Sequence, residues 1–413
     1  MARYLVYTSP ARGHLYPIVP TLEELQRRGH EVAVRTLASE VGLLRSLGFT
    51  AAPIDPAIEQ KEHADWQTRT SIGALQASLQ VFFARARYDG PDLRRAIEAE
   101  RPDVLLVDIN TWGAMAAAES AGLAWATWCP YFLPTPSRDV PPFGLGLPPA
   151  HGPLGRLRDR LLGPVVLGIY NRLAPELDAA RAELGTPPVG RIERAMLRAP
   201  LMLYMTAEPF EYPRSDWPRS VRLFGPGIWD PPADPPSWLD DLEKPLVLVT
   251  CSTEYQNDGK LIRTALEALA GDDVEVVATS GGVDPSSFSP PPNARIVKFL
   301  PHSPVLKRAA CVVCHGGMGI TQKALASGVP VCVVPFGRDQ FDVARHVEVA
   351  GAGTRLPSRR LRPDRLRTAV REAMGKKGGA RRIASAFDAA GGPRAASEAL
   401  EKLSNEQADK LLR

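Results

Sequence analysis

The chain has 413 residues, 44% hydrophobic and 23% charged, which is enough to bury more than one core. Its 50 basic and 46 acidic side chains leave a net charge of +4, without the single-sign field of a nucleic-acid binder. The 5 cysteines are too sparse for a disulfide framework, and no apolar run reaches the length of a membrane span.

The N-terminus has no signal-peptide layout and leads straight into an apolar strand, so a cytoplasmic protein without stable membrane insertion is expected. Arg3 to Thr8 reads as that strand, and Leu15 to Arg28 as a helix stopped by Gly29. Glu31 to Thr36 is a second strand, followed by a helix to Leu47 and the stop Gly48. Asp103 to Asp108 and Leu123 to Cys129 are further strands around an Ala-rich helix. Short, continuous apolar strands alternating with helices predict a parallel sheet covered on both faces.

The rhythm breaks over 134–190, where a Pro/Gly-rich stretch, Pro134 to Pro153, precedes a long basic amphipathic pattern, Leu154 to Leu184. Lying on a membrane, lining a pocket and packing on the domain are all open to such an insertion. Leu201 to Thr206 closes this half as a strand, and the prolines of 209–245 predict a stiff linker. The cycle then restarts with strands at Leu246 to Thr250, Val274 to Thr279, Ile296 to Leu300, Cys311 to Cys314 and Val331 to Val334. The expected organisation is an acceptor-side domain (1–208), a linker (209–245), a second domain (246–394) and a C-terminal helix (395–413) packing back on the first domain. The fold class is α/β: two doubly wound Rossmann-like domains facing across a cleft, with ligands beyond the carboxyl ends of the strands.

Cys311-Val312-Val313-Cys314-His315 matches the string used for covalent haem attachment. Its apolar filler reads instead as a buried strand running into a glycine loop, and no cofactor is expected. His315-Gly316-Gly317-Met318-Gly319 follows that strand and opens a helix. Glycines let a ligand approach the backbone, and a helix N-terminus offers free N–H groups, a combination suited to a diphosphate.

The continuation through Ala324-Leu325-Ala326-Ser327-Gly328-Val329-Pro330 to Pro335-Phe336-Gly337-Arg338-Asp339-Gln340 resembles the donor signature of the family 1 glycosyltransferases of the antibiotic and natural-product type, which have the GT-B fold. The likeness runs the length of the chain in order and spacing. It implies that a nucleotide-diphosphate sugar, linked to uridine or thymidine, is the co-substrate. His315 and the amides of Gly317 and Gly319 would hold the diphosphate, with Ser252 and Thr253 capping the phosphates. Asp339 and Gln340 would bond the sugar hydroxyls, Phe299 would stack on the base, and Leu300 would hold the base edge. Two residues depart from the pattern: Ile320 stands where Thr or Ser is usual, and Lys323 where an acid often binds the ribose. A lysine accepts no hydrogen bond, so ribose recognition must differ here.

The same resemblance makes His14, in Gly13-His14-Leu15-Tyr16-Pro17, the general base, and Asp108, at a strand end, the acid that orients it. Imidazole suits the task because it titrates near neutral pH. Inverting, metal-independent transfer to a hydroxyl of a lipophilic small molecule follows, since no Asp-x-Asp metal motif or second nucleophilic carboxylate is identifiable. Phe82, Phe83, Trp112, Trp128 and Phe132, with Tyr131 and Phe143, are the candidate walls of an acceptor pocket. The rival readings are a nucleotide-sugar epimerase, a transferase for a lipid-linked acceptor, and a non-catalytic helper of a transferase. The lipid-linked route predicts an apolar, basic patch on the first domain. A homodimer is left open.

Overall fold

A computed structural model describes residues 1–61, 71–252 and 258–411 of the chain. The first sheet has seven parallel strands: β1 (Arg3–Tyr7), β2 (Glu31–Thr36), β3 (Thr50–Pro53), β4 (Val104–Asp108), β5 (Ala124–Cys129), β6 (Leu201–Tyr204) and β7 (Val221–Leu223). Their spatial order is β3-β2-β1-β4-β5-β6-β7. The second sheet comprises β8 (Leu246–Thr250), β9 (Glu275–Thr279), β10 (Ala294–Val297), β11 (Ala309–Cys314), β12 (Val331–Val333) and β13 (Gly353–Arg355). It runs β10-β9-β8-β11-β12-β13, also all parallel.

Each sheet separates two cores, which is why its strands are apolar without alternation. Leu5 and Tyr7 of β1 pack under one helical layer, while Tyr4 and Val6 pack under the other. In β8, Leu246 and Leu248 face one core, and Val247 and Val249 the opposite one. Cys311 and Cys314 of β11 are fully buried in the same way.

Four features differ from the sequence reading. The first helix is Arg12–Arg27, so Gly13 and His14 belong to its first turn; no side chain caps this end, and the usual start signal is missing. A 30-residue helix, Ser71–Glu100, precedes β4 and is absent from the expected elements. The basic pattern after residue 153 is two helices, Gly152–Asn171 and Ala174–Glu183, the second with proline in its first turn. Finally, β7 lies inside the stretch expected as linker and adds a seventh strand to the first sheet.

The connection then crosses the first helix so closely that a Cβ on Gly227 would lie 1.7 Å from the Pro17 carbonyl oxygen. At the other end of the chain, the helix Gly392–Leu411 returns to the first domain. Leu400 enters its core, and Glu401 pairs with Arg28 (2.6 Å) and His30 (2.8 Å).

The domains also meet through the insertion. Asp342, on the helix Gln340–Val349, accepts the amide hydrogens of Gly144 (2.7 Å) and Gly146 (3.1 Å). Burial pushes its carboxyl up to about 6. Arg345 of the same helix donates to the Gly146 carbonyl (2.9 Å). The His346 ring lies stacked between Phe132 and Tyr212, with both centroids 3.7 Å away.

Candidate active site

A cavity of about 1000 Å³ opens between the domains, beyond the carboxyl ends of β1, β4, β8 and β11. His14 enters it from the first turn of its helix, and Asp108 ends β4 beneath it. The His14 Nδ1 lies 2.9 Å and 3.1 Å from the two Asp108 carboxylate oxygens. A carboxylate only accepts, so Nδ1 carries the hydrogen, and in the neutral ring Nε2 keeps its lone pair. Asp108 is fully buried and accepts further bonds from the Ser9 amide (3.0 Å), the Ser9 hydroxyl (2.6 Å) and the Asn110 amide (2.9 Å). Burial pushes this carboxyl up, but the charge and bond of His14, with the Ser9 and Asn110 bonds, outweigh it and hold it below the usual range.

Asn110 and Tyr131 complete the arrangement. The Tyr131 hydroxyl donates to the Asn110 Oδ1 (2.7 Å), which turns the Asn110 Nδ2 toward the His14 Nε2 at 3.2 Å. Trp128 donates its indole N–H to the His14 carbonyl (3.1 Å) and steadies the helix start. Asn110 carries no motif in the sequence; only its place two residues after Asp108 could have suggested it.

The second domain supplies the opposite wall. Gly316 has φ +97°, and a Cβ there would lie 2.8 Å from a Val333 methyl and 3.2 Å from the Gln340 Cβ, so only glycine fits. Gly317 precedes the helix Met318–Ala326, and Gly319, in its first turn, faces open space: a Cβ there would meet nothing within 4 Å. Both glycines line the cavity with His315 and Ser252. His315 is buried, which holds its imidazole below the usual range, and its Nδ1 has no hydrogen-bond partner among the described residues. The Ser252 amide donates to Asp258 (2.6 Å). Thr253 lies outside the described residues.

Asp339 and Gln340 reach the same wall. The Asp339 side chain does not cap the helix that follows it. The Gln340 Oε1 accepts from the Phe336 (2.8 Å) and Gly337 (3.1 Å) amides and shapes the loop. Arg338, to which the motif assigns no role, also lines the cavity and has a left-handed backbone at φ +52°, a conformation costing about 1 kcal/mol or more outside glycine.

Lys323 lines the cavity as well and is paired with Asp230 from the interdomain connection. Asp230 also accepts from the amide (2.9 Å) and hydroxyl of Ser303. A carboxylate therefore does stand beside this position, as the partner of the lysine. His302 stands nearby; burial and the Lys323 charge lower its pKa to about 4.

The aromatic candidates divide. Phe82 and Trp112 line the cavity, as do Tyr131 and Phe143. Phe83, Trp128 and Phe132 do not: Phe83 packs edge-on against Trp112 (4.7 Å), Trp128 is buried under the first helix, and Phe132 stacks on His346. Phe299 is 57% exposed and Leu300 is buried in the second domain's core, both outside the cavity lining. Tyr16, Trp229, Val165, Val166 and Ile169 are wall residues that no sequence pattern singles out.

Two parallel-sheet domains with a glycine loop facing a His–Asp pair across one cavity define the GT-B class of fold. Residues 263–403 match the family described as erythromycin biosynthesis protein CIII-like, C-terminal domain. The chain is 36% identical over 391 residues to 4'-demethylrebeccamycin synthase of Lentzea aerocolonigenes, covering 90% of this chain and 91% of that protein. It is 31% identical over 355 residues to a PGL/p-HBAD biosynthesis glycosyltransferase of Mycobacterium tuberculosis, covering 80% and 79%. Among solved structures, the calicheamicin glycosyltransferase CalG4 superposes with a TM-score of 0.74 at 22% identity, covering 98% of both chains. The glycosyltransferase VinC, in complex with dTDP, gives 0.75 at 22% identity, covering 98% of this chain and 100% of its own. At such identities these structural likenesses concern the fold. The chain belongs to the antibiotic-type family 1 glycosyltransferases, and it is a glycosyltransferase of natural-product biosynthesis.

Proposed function

We propose that the chain transfers a sugar, with inversion, from a nucleotide-diphosphate sugar to a hydroxyl of a lipophilic small-molecule acceptor. The observation that carries this reading is the convergence of the His14–Asp108 pair and the glycine-loop helix N-terminus on one cavity, from opposite domains. The acceptor oxygen attacks the anomeric carbon as its proton passes to the His14 Nε2. A carbon–oxygen bond forms to the acceptor, and the bond to the diphosphate breaks on the far face. Asp108 holds the imidazole in the required tautomer and stabilises its charged form.

The leaving diphosphate finds the amides at the start of the helix Met318–Ala326, the positive end of its dipole, and the donor capacity of His315. No step calls for a metal ion. Asp339 and Gln340 line the cavity and would take sugar hydroxyls, and Lys323, which lines it too and is paired with Asp230, would read the ribose. Phe82, Trp112, Tyr131, Phe143 and the aliphatic wall of Val165, Val166 and Ile169 suit a hydrophobic acceptor.

Thermal unfolding with uridine and thymidine diphosphates and their sugars tests the donor half. Saturation at about 100 times the dissociation constant adds about 2.7 kcal/mol of stability. An upward shift with one base identifies the donor; no shift with any of them overturns the reading.

A further inference from the structure

The helix Gly152–Asn171 carries an apolar stripe that the described residues leave uncovered. Leu154 is 80% exposed, Leu157 52%, Leu161 64% and Val165 60%, and their spacing of three, four and four residues sets them in one line. They are four of the seven large hydrophobic side chains that stand exposed among the described residues, so the exposure is concentrated on one element. Arg156 and Arg160 are exposed on the same helix, and Arg172 at its C-terminal end. The helix's one acid, Asp159, is paired with Arg158 (2.8 Å), which also donates to the Pro148 carbonyl. The exposed surface of the helix itself is therefore apolar and positive, while an exposed acid, Glu176, follows Arg172 on the next helix.

The inner side of this helix has a different duty. Leu162, Val166 and Ile169 line the cavity, and Val165, the last residue of the stripe, lines it too, so the stripe runs along the helix to the cavity. No helix among the described residues is long and apolar enough to cross a membrane, which leaves a surface-lying role for this one. The exposed face of this helix is a line of aliphatic side chains beside exposed arginines. It complements a flat surface that is apolar within and negative at its face.

We propose that this face docks the enzyme on an anionic lipid surface. Leu154, Leu157 and Leu161 dip among the acyl chains while Arg156, Arg160 and Arg172 meet the headgroups. A lipophilic acceptor then passes from the lipid phase into the cavity along the inner side of the same helix; this delivery step rests on the acceptor reading above, whereas docking does not.

The test is sedimentation of the full chain with phosphatidylcholine–phosphatidylglycerol vesicles and with phosphatidylcholine alone. Binding is expected to the mixed vesicles, to weaken with salt, and to fall about tenfold or more in Leu157→Ser/Leu161→Ser and in Arg156→Glu/Arg160→Glu. These side chains lie outside the cavity wall, so the melting temperature and transfer to a water-soluble acceptor should hold, while transfer to an acceptor dissolved in vesicles falls. Absence of vesicle binding by the unaltered chain, or equal binding by the variants, overturns the proposal. A concentration-dependent dimer that disappears in Leu157→Ser/Leu161→Ser would overturn it too, by assigning the stripe to a second copy. Vesicle binding without any thermal response to nucleotides leaves docking standing and overturns the proposed donor and acceptor reading instead.

Discussion

The two halves of the cavity are built by different means. On the side proposed to hold the donor, one continuous segment, His315 to Gln340, supplies the glycine loop, a helix N-terminus and the strained turn at Arg338. Its shape is held by backbone: Gly316 has no room for a side chain, and Gln340 is tied to the Phe336 and Gly337 amides. On the side proposed for the acceptor, the wall is assembled from side chains on separate segments. Phe82 comes from the helix Ser71–Glu100, Trp112 follows β4, Tyr131 follows β5, and Phe143 and Val166 come from the insertion. The first kind of wall tolerates little change, whereas the second can alter one residue at a time while both sheets stay intact.

The sharpest way to break this division is His14→Ala. We expect kcat to fall about 10²–10⁴-fold with nucleotide-diphosphate affinity unchanged, read by steady-state kinetics and thermal shift. Collapse of both together would mean that the halves are not separable. Gly316→Ala pushes a Cβ against Val333 and Gln340 at a φ that other residues resist. It should cost about 1–3 kcal/mol in denaturant unfolding and weaken nucleotide binding, leaving the acceptor wall in place.

A pH series sharpens the donor side further. The folded pKa of His302, about 4, lies below its ordinary 6.5, so the unfolded chain binds more protons between these values. Its contribution is fully present above pH 6.5 and is lost as pH falls toward 4; it should amount to up to about 3 kcal/mol, and His302→Gln should flatten that part of the stability profile. The smallest effect belongs to the acceptor wall. Phe82→Ala should raise the acceptor KM about fivefold without moving the donor KM, as expected for losing part of one aromatic contact.

This contrast also decides what can be read from the sequence. The strands are legible because burial on both faces writes an unbroken apolar run, as in Val104-Leu105-Leu106-Val107. The donor loop is legible because its glycines, histidine and prolines are local requirements. The aromatic residues are visible as aromatic, but which of them face the cavity depends on packing between distant segments. Trp128 and Phe132 therefore go to the core and the domain contact, while Tyr131 between Cys129 and Phe132 reaches the site. The carboxylate beside Lys323 is hidden for the same reason, since Asp230 lies 93 residues away in a segment that reads only as proline-rich. Likewise β7 is three residues long and surrounded by turn formers, so its place in the first sheet is decided by pairing with β6.

The Asp342 clamp bears on how such enzymes can be recombined. Residues 144–146 are covalently part of the first domain but are held by Asp342 and Arg345, on the helix that Asp339 and Gln340 begin. A hybrid joined within 209–245 would pair one parent's loop with another parent's clamp. Gly146 has no slack to absorb a mismatch, because its Cβ position lies 2.7 Å from the Phe341 carbonyl oxygen. Moving the second domain between relatives thus requires moving the turn at 144–146 with it, so that the unit of exchange is discontinuous along the chain.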